Sequence, residues 1–194
     1  MARIAEPEKI ENIKYAVMEA LVEHGYSGMS IATISQRAGV SPGYLYRFYE
    51  SKEELVEELV GKEMERIVND FIFDIDSSST LHEAAYKTVK RLFQKANENP
   101  MAARFASSVV MDVKIPAWEK ADNFKMIFDL ADKCIKLGHS TGELHSKIAP
   151  VEVLIVSFTI PFRYLSFMLE MDKNKQFTEE EIKRITEICI NALK

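Results

Sequence analysis

The sequence predicts an all-helical fold, on three observations. Apolar residues recur at three- and four-residue intervals through nearly every segment. Several of those segments open with Ser or Thr followed three residues later by Glu, the signature of a capped helix start. No run alternates apolar and polar residues as a half-buried strand would. The 194 residues leave room for one large domain or two small ones, and 47% hydrophobic residues suffice for a substantial core.

Ile10, Ile13, Val17 and Leu21 place one apolar face on a first helix, with Pro7 suited to its first turn and Gly25 to its C-terminal cap. Ser30 suits the N-cap of a helix beginning at Ile31, with Met29 and Ile34 as its hydrophobic staple. Ser41 caps the next, with Pro42 as its first residue and Val40 and Leu45 as its staple. Gly39, between them, supplies the left-handed backbone of a tight turn. Two helices of about two turns each in this arrangement make a helix-turn-helix. Small Ser35 lets the second cross closely over the first, and Ile34, Leu45 and Phe48 are expected to form their shared core.

Ser51 and Glu54 open a long helix toward Phe73, and the "DSSST" cluster from Asp76 to Thr80 interrupts it. Thr80 and Glu83 restart the pattern. Breaks are expected at Asn99-Pro100, at Ile115-Pro116 and across "GHSTGE", Gly138 to Glu143. Pro150 begins a very apolar helix, inside which Pro161 should free the carbonyl of Ser157 and bend the axis. The polar "DKNKQ" precedes a last helix with Thr178 and Glu181 as its capping box and Phe177 against Ile182 as its staple. About nine helices result.

Charge gives no global sign of a nucleic-acid partner. The net charge is −5, and residues 1–55 hold six Lys or Arg against eight acids. Any such surface must come from local placement. Cys134 and Cys189 fit no CxxC pattern, which suits a reducing, cytoplasmic setting, and the N-terminal residues lack the apolar core of a signal peptide. The run from Val153 to Leu169 barely reaches the roughly 17 residues needed to span a bilayer. It also contains Arg163, which costs roughly 2.5–3.5 kcal/mol near the middle of a span, so a buried helix is the better reading.

Placement of charge is informative at the start of the second short helix. Ser41, Pro42, Gly43 and Tyr44 form a first turn whose exposed N–H groups and positive dipole end favour phosphates and base acceptors. Gly43 lets backbone come close. Arg47, one turn on, reaches a phosphate or a guanine edge, and Lys52 stands in the first turn of the following helix, where a nearby phosphate would offset its unfavourable position. Tyr44 and Tyr46 also have a plain reading as packing residues with wet hydroxyls.

The stretch "SIATISQRAGVSPGYLYRFYESKEEL", Ser30 to Leu55, resembles the DNA-binding segment of the tetracycline-repressor (TetR) family of transcriptional regulators, and "LVEHGYSGMS" upstream resembles it as well. The resemblance implies a DNA-binding domain over residues 7–67 and a helical effector-binding and dimerisation domain over residues 68–194. It implies DNA contacts at Ser30, Ser41, Pro42, Gly43, Tyr44, Tyr46, Arg47 and Lys52. Two positions depart from the family pattern. Ser35 replaces the usual Ala, and Phe48-Tyr49 reverses the common order of His or Tyr followed by Phe, leaving Phe48 without a donor for phosphate.

The resemblance further implies a ligand-responsive regulator, a repressor in the family's usual behaviour, that binds a palindromic operator in double-stranded DNA as a homodimer. The last two helices, with a stripe of Ile182, Ile185, Cys189 and Ala192, are the interface candidates. An effector pocket is expected among Arg104, Phe105, Trp118, Phe124, Phe128, Phe162, Arg163, Tyr164 and Phe167, lined for an apolar or amphipathic small molecule. No catalytic motif, cofactor motif or metal-ligand set stands out; His139, Glu143 and His145 match no helical ligand spacing, so an enzyme is not expected. The competing reading is a helical protein-interaction module that has lost DNA binding, motivated by the acidic balance of residues 1–55.

Overall fold

The computed structural model describes residues 7–112, 114–115, 121–145 and 147–194; the side chains of residues 121–124 fall outside that description. The described residues form nine helices and no strand. They are α1 (Pro7–Gly28), α2 (Ile31–Arg37), α3 (Pro42–Leu45), α4 (Lys52–Asp76), α5 (Leu81–Glu98), α6 (Pro100–Met111), α7 (Ala121–Thr141), α8 (Pro150–Met171) and α9 (Glu179–Leu193).

Each boundary has a local cause. The regular turn of α1 ends at Gly25, whose φ of 63° is open to glycine and strained for other residues. The hydroxyls of Ser30, Ser41, Ser51, Thr80 and Thr178 each accept an N–H three residues on, an arrangement worth about 0.5–2 kcal/mol per cap. The partner glutamates differ. Glu181 closes a full box on the Thr178 N–H at 2.9 Å, whereas Glu54 and Glu83 reach one residue further back, to Glu50 and Ser79. Asn99 caps α6 ahead of Pro100. The break expected across Gly138 to Glu143 falls in its second half: α7 continues through Thr141 and stops at Gly142, with φ 69°. His139 is therefore helical, while the Pro116 break lies outside the described residues.

Pro161 follows a wider turn. Lacking an N–H for the Ser157 carbonyl, it is accommodated by the π turn Ile155–Thr159 that divides α8. α8 is long and apolar enough by length to cross a membrane. One face, with Val153, Phe162, Leu165 and Leu169, is buried in the core; the other exposes Val151, Ile155, Phe167 and Met171. The stripe expected at a dimer interface is different on α9. Ile182, Ile185 and Cys189 are buried within this chain, where α9 packs on α5, leaving Ile188 and Ala192 outward.

Glu181 also gives α9 a pH signature. Burial would raise its pKa, but the Thr178 N–H, Lys175 and the Tyr164 hydroxyl outweigh that and pull it down to about 2. A carboxylate with a depressed folded-state pKa stabilises above its ordinary value of 4.5, and the contribution is lost as pH falls toward 2. Glu181→Gln is accordingly expected to remove part of the acid-side decline in Tm across that window, read from melting curves of both proteins.

Candidate nucleic-acid interface and ligand cavity

α2 and α3 pack as a helix-turn-helix. Ile34 and Leu45 are fully buried, and Gly39 turns the chain with φ 65°. Buried Ser35 donates its hydroxyl to the Ile31 carbonyl at 2.6 Å, so the close crossing leaves no polar atom unsatisfied. Two expectations need correction. α3 is a single turn rather than two, prolonged only by turns in which Tyr46, Phe48 and Tyr49 donate back to Pro42 and Leu45. Phe48 is 38% exposed and lies outside the core that Ile34 and Leu45 share.

Ser41, Pro42 and Gly43 are exposed at the start of α3, and Tyr46 beside them is 57% exposed. Tyr44 is half-buried, with Lys9 Nζ 5.4 Å from its ring centroid. Among the described residues Arg47 has no carboxylate partner. Its guanidinium lies over the rings of Tyr44 and Phe48, at 5.4 and 5.7 Å from their centroids. Arg37, by contrast, pairs with Glu23 and Glu19 of α1. Ser30 is exposed, but its hydroxyl is engaged by Thr33.

Lys52 sits differently from expectation. Its ammonium donates to the carbonyls of Tyr26 (3.3 Å) and Met29 (3.5 Å) and lies 4.2 Å from the centre of the Tyr26 ring. Those carbonyls, rather than a phosphate, offset its position in the first turn of α4. An ammonium has three donors, so one remains for an anion. Tyr26 is thereby a junction. Its hydroxyl donates to Glu53, its N–H to Asp112 at the end of α6, and burial followed by Glu53 pushes its pKa up to about 12.

The body contains an apolar chamber of about 40 Å³ enclosed by five helices. Phe71 and Ile75 of α4, Ala84 and Thr88 of α5, Cys134 of α7, Ser157 and Pro161 of α8, and Cys189 of α9 line it. Burial pushes both thiols up to about 12, so neither is a reactive nucleophile. Phe71 and Thr88 also border a second space of about 30 Å³, which Arg66, Asp70, Asp74, Arg91 and Lys95 line as well.

The residues expected around one pocket are not gathered there. Phe162 borders the second space, Arg163 lies in a separate cleft between α1, α6 and α8, and Phe105 is buried. Tyr164 packs against Phe93 and Phe177 and bonds Glu181. Phe128 and Phe167 are exposed, Arg104 is half-buried, and Trp118 and the Phe124 side chain lie outside the described residues. Aromatic bulk marked the filled core; the cavity sits where Ala84, Ala85 and Ser157 leave room beside Pro161.

A capped turn held clear of its supports, braced by a second helix and carried on a long helix into an all-helical body, defines the helix-turn-helix class of DNA-binding regulators. Residues 16–59 match the family model of the bacterial regulatory proteins of the tetR family. A fatty acid metabolism regulator protein of Bacillus subtilis (strain 168) is 26% identical over 78 residues, which span 40% of this chain and 40% of that protein. The fatty acid degradation regulator FadR from Bacillus halodurans shares the fold with a TM-score of 0.73 at 18% identity, over 99% of both chains. FadR from Bacillus subtilis, solved in complex with stearoyl-CoA, gives 0.67 at 16% identity over 94% of this chain and 96% of that one.

Proposed function

We propose that this chain is a cytoplasmic transcriptional repressor that holds a palindromic operator as a homodimer and releases it when an amphipathic acyl compound enters the body. The observation that carries the reading is the exposed, Ser41-capped start of α3 beside Arg47, which no carboxylate holds among the described residues. The resemblance assigns the contacts to Ser30, Ser41, Pro42, Gly43, Tyr44, Tyr46, Arg47 and Lys52. The outward apolar residues of α8, with Ile188 of α9, supply a face for a second copy, and two heads then meet half-sites about 34–36 Å apart. The related regulator bound to stearoyl-CoA motivates the acyl class of effector, and the mostly apolar lining of the chamber, with Thr88 and Ser157 as its hydroxyls, agrees with an alkyl chain.

The mechanism rests on size and leverage. A cavity of about 150 Å³ holds one benzene, so a chamber of about 40 Å³ has to widen to admit an acyl chain. Phe71 and Ile75 lie on α4, about 30 Å along the helix from the head that Ser51 joins. Widening the chamber shifts that end of α4 and moves the heads out of register with the duplex; the ligand acts only through its better fit to the widened state.

The test is fluorescence anisotropy with DNA from upstream of the chain's own coding region, at two salt concentrations and with added stearoyl-CoA. The expected result is binding that weakens steeply with salt and is reversed by the acyl-CoA. Binding indifferent to DNA sequence, or unmoved by acyl compounds of any length, would refute the corresponding half of the proposal.

A further inference from the structure

Phe48 is an exposed aromatic on the proposed DNA face with nothing to donate to a phosphate, which leaves it without an obvious role at that position. Its surroundings supply one. Tyr44, Arg47 and Phe48 occupy positions i, i+3 and i+4 of the turn that continues α3, the spacing at which side chains on one helical face meet. The Tyr44 and Phe48 rings stand 5.2 Å apart, tilted by 55°, and the Arg47 guanidinium lies over both. Beside them is a hollow of about 150 Å³, which both rings line together with Ile10, Ile13 and Lys14 of α1 and Glu58 and Leu59 of α4.

We propose that Phe48 is a positioning residue for DNA recognition: with Tyr44 it makes a two-ring shelf that fixes the direction of the Arg47 guanidinium. The inference rests on the DNA-binding reading above. A guanidinium bound by a carboxylate would be held as firmly but with its charge spent; one held on ring faces keeps all five donors for bases and phosphates. The shelf also reduces the rotamer freedom Arg47 loses on binding, which is where an exposed arginine otherwise forfeits affinity. The reversed aromatic order thereby exchanges a direct phosphate contact for control of an arginine.

The experiment is a double-mutant cycle with a duplex selected from a random library by the wild-type protein, and a scrambled duplex of equal length as control. Affinities are measured for wild type, Phe48→Leu, Arg47→Ala and the double variant, with Phe48→Tyr as the aromatic-preserving control. Phe48→Leu is expected to lose on the order of three- to fivefold in affinity for the selected duplex. In the Arg47→Ala background the same change is expected to have no further effect, and Phe48→Tyr to bind as wild type. Circular dichroism and melting curves confirm that each variant is folded. Equal losses from Phe48→Leu in both backgrounds, or wild-type binding by Phe48→Leu, would overturn the shelf while leaving DNA binding in place. Failure of the wild-type protein to prefer any duplex would overturn both.

Discussion

Arg91→Ala is expected to cost about 3–5 kcal/mol of folding stability, the usual penalty for leaving a buried charge without its partner. Asp74, on α4, is 1% exposed. Arg91 of α5 reaches it with Nε at 3.0 Å and with Nη2, and Thr88 adds its hydroxyl at 3.3 Å. Truncating the arginine leaves the carboxylate with Thr88 alone. At this chain length, Tm should fall by on the order of 10 °C. Replacing both partners, Asp74→Leu with Arg91→Met, should recover most of that loss, since no charge is then stranded. Thermal and urea unfolding of the single and double variants measure both. The same pair closes the α4–α5 seam and lines the second space, so the single variant should also loosen the wall of the chamber.

Arg47→Ala is expected to weaken binding to the operator by roughly ten- to hundredfold, the worth of about 1–3 kcal/mol for one good arginine contact. Stability should stay within about 0.5 kcal/mol, because the side chain is exposed and pairs with no carboxylate among the described residues. The salt dependence separates two kinds of contact. If Arg47 meets a phosphate, the slope of log affinity against log salt should drop by about one; if it reads a base, the slope should hold and discrimination at one base pair should relax. Anisotropy titrations at several salt concentrations read both quantities together.

Local chemistry made most of the fold legible in advance. Ser30, Ser41, Thr80 and Thr178 each carry a cap the sequence predicts, Gly39 takes the left-handed backbone assigned to it, and Gly25, assigned to the end of α1, has a positive φ. These features depend on neighbours a few residues away. What depended on distant packing was misjudged. The stripe of Ile182, Ile185 and Cys189 reads as surplus apolar surface until α5 is seen to cover it. Phe48 reads as core until its ring is seen exposed, against Tyr44 and beside a hollow. The cavity escaped for a related reason: large aromatics announce bulk, whereas a cavity is announced by small residues from several helices converging, which one sequence does not reveal. The carbonyls that hold Lys52 come from the end of α1, more than twenty residues away, and no local pattern foretells them.

Hydrogen–deuterium exchange of the protein with and without a duplex that it selects tests the assigned reading head most directly. Binding should slow exchange in the amides from Ser41 to Arg47 and around Ser30, and adding stearoyl-CoA should return those amides to the rates of the free protein. Protection confined to α8 and α9, with the start of α3 exchanging as fast as in the free protein, would contradict it.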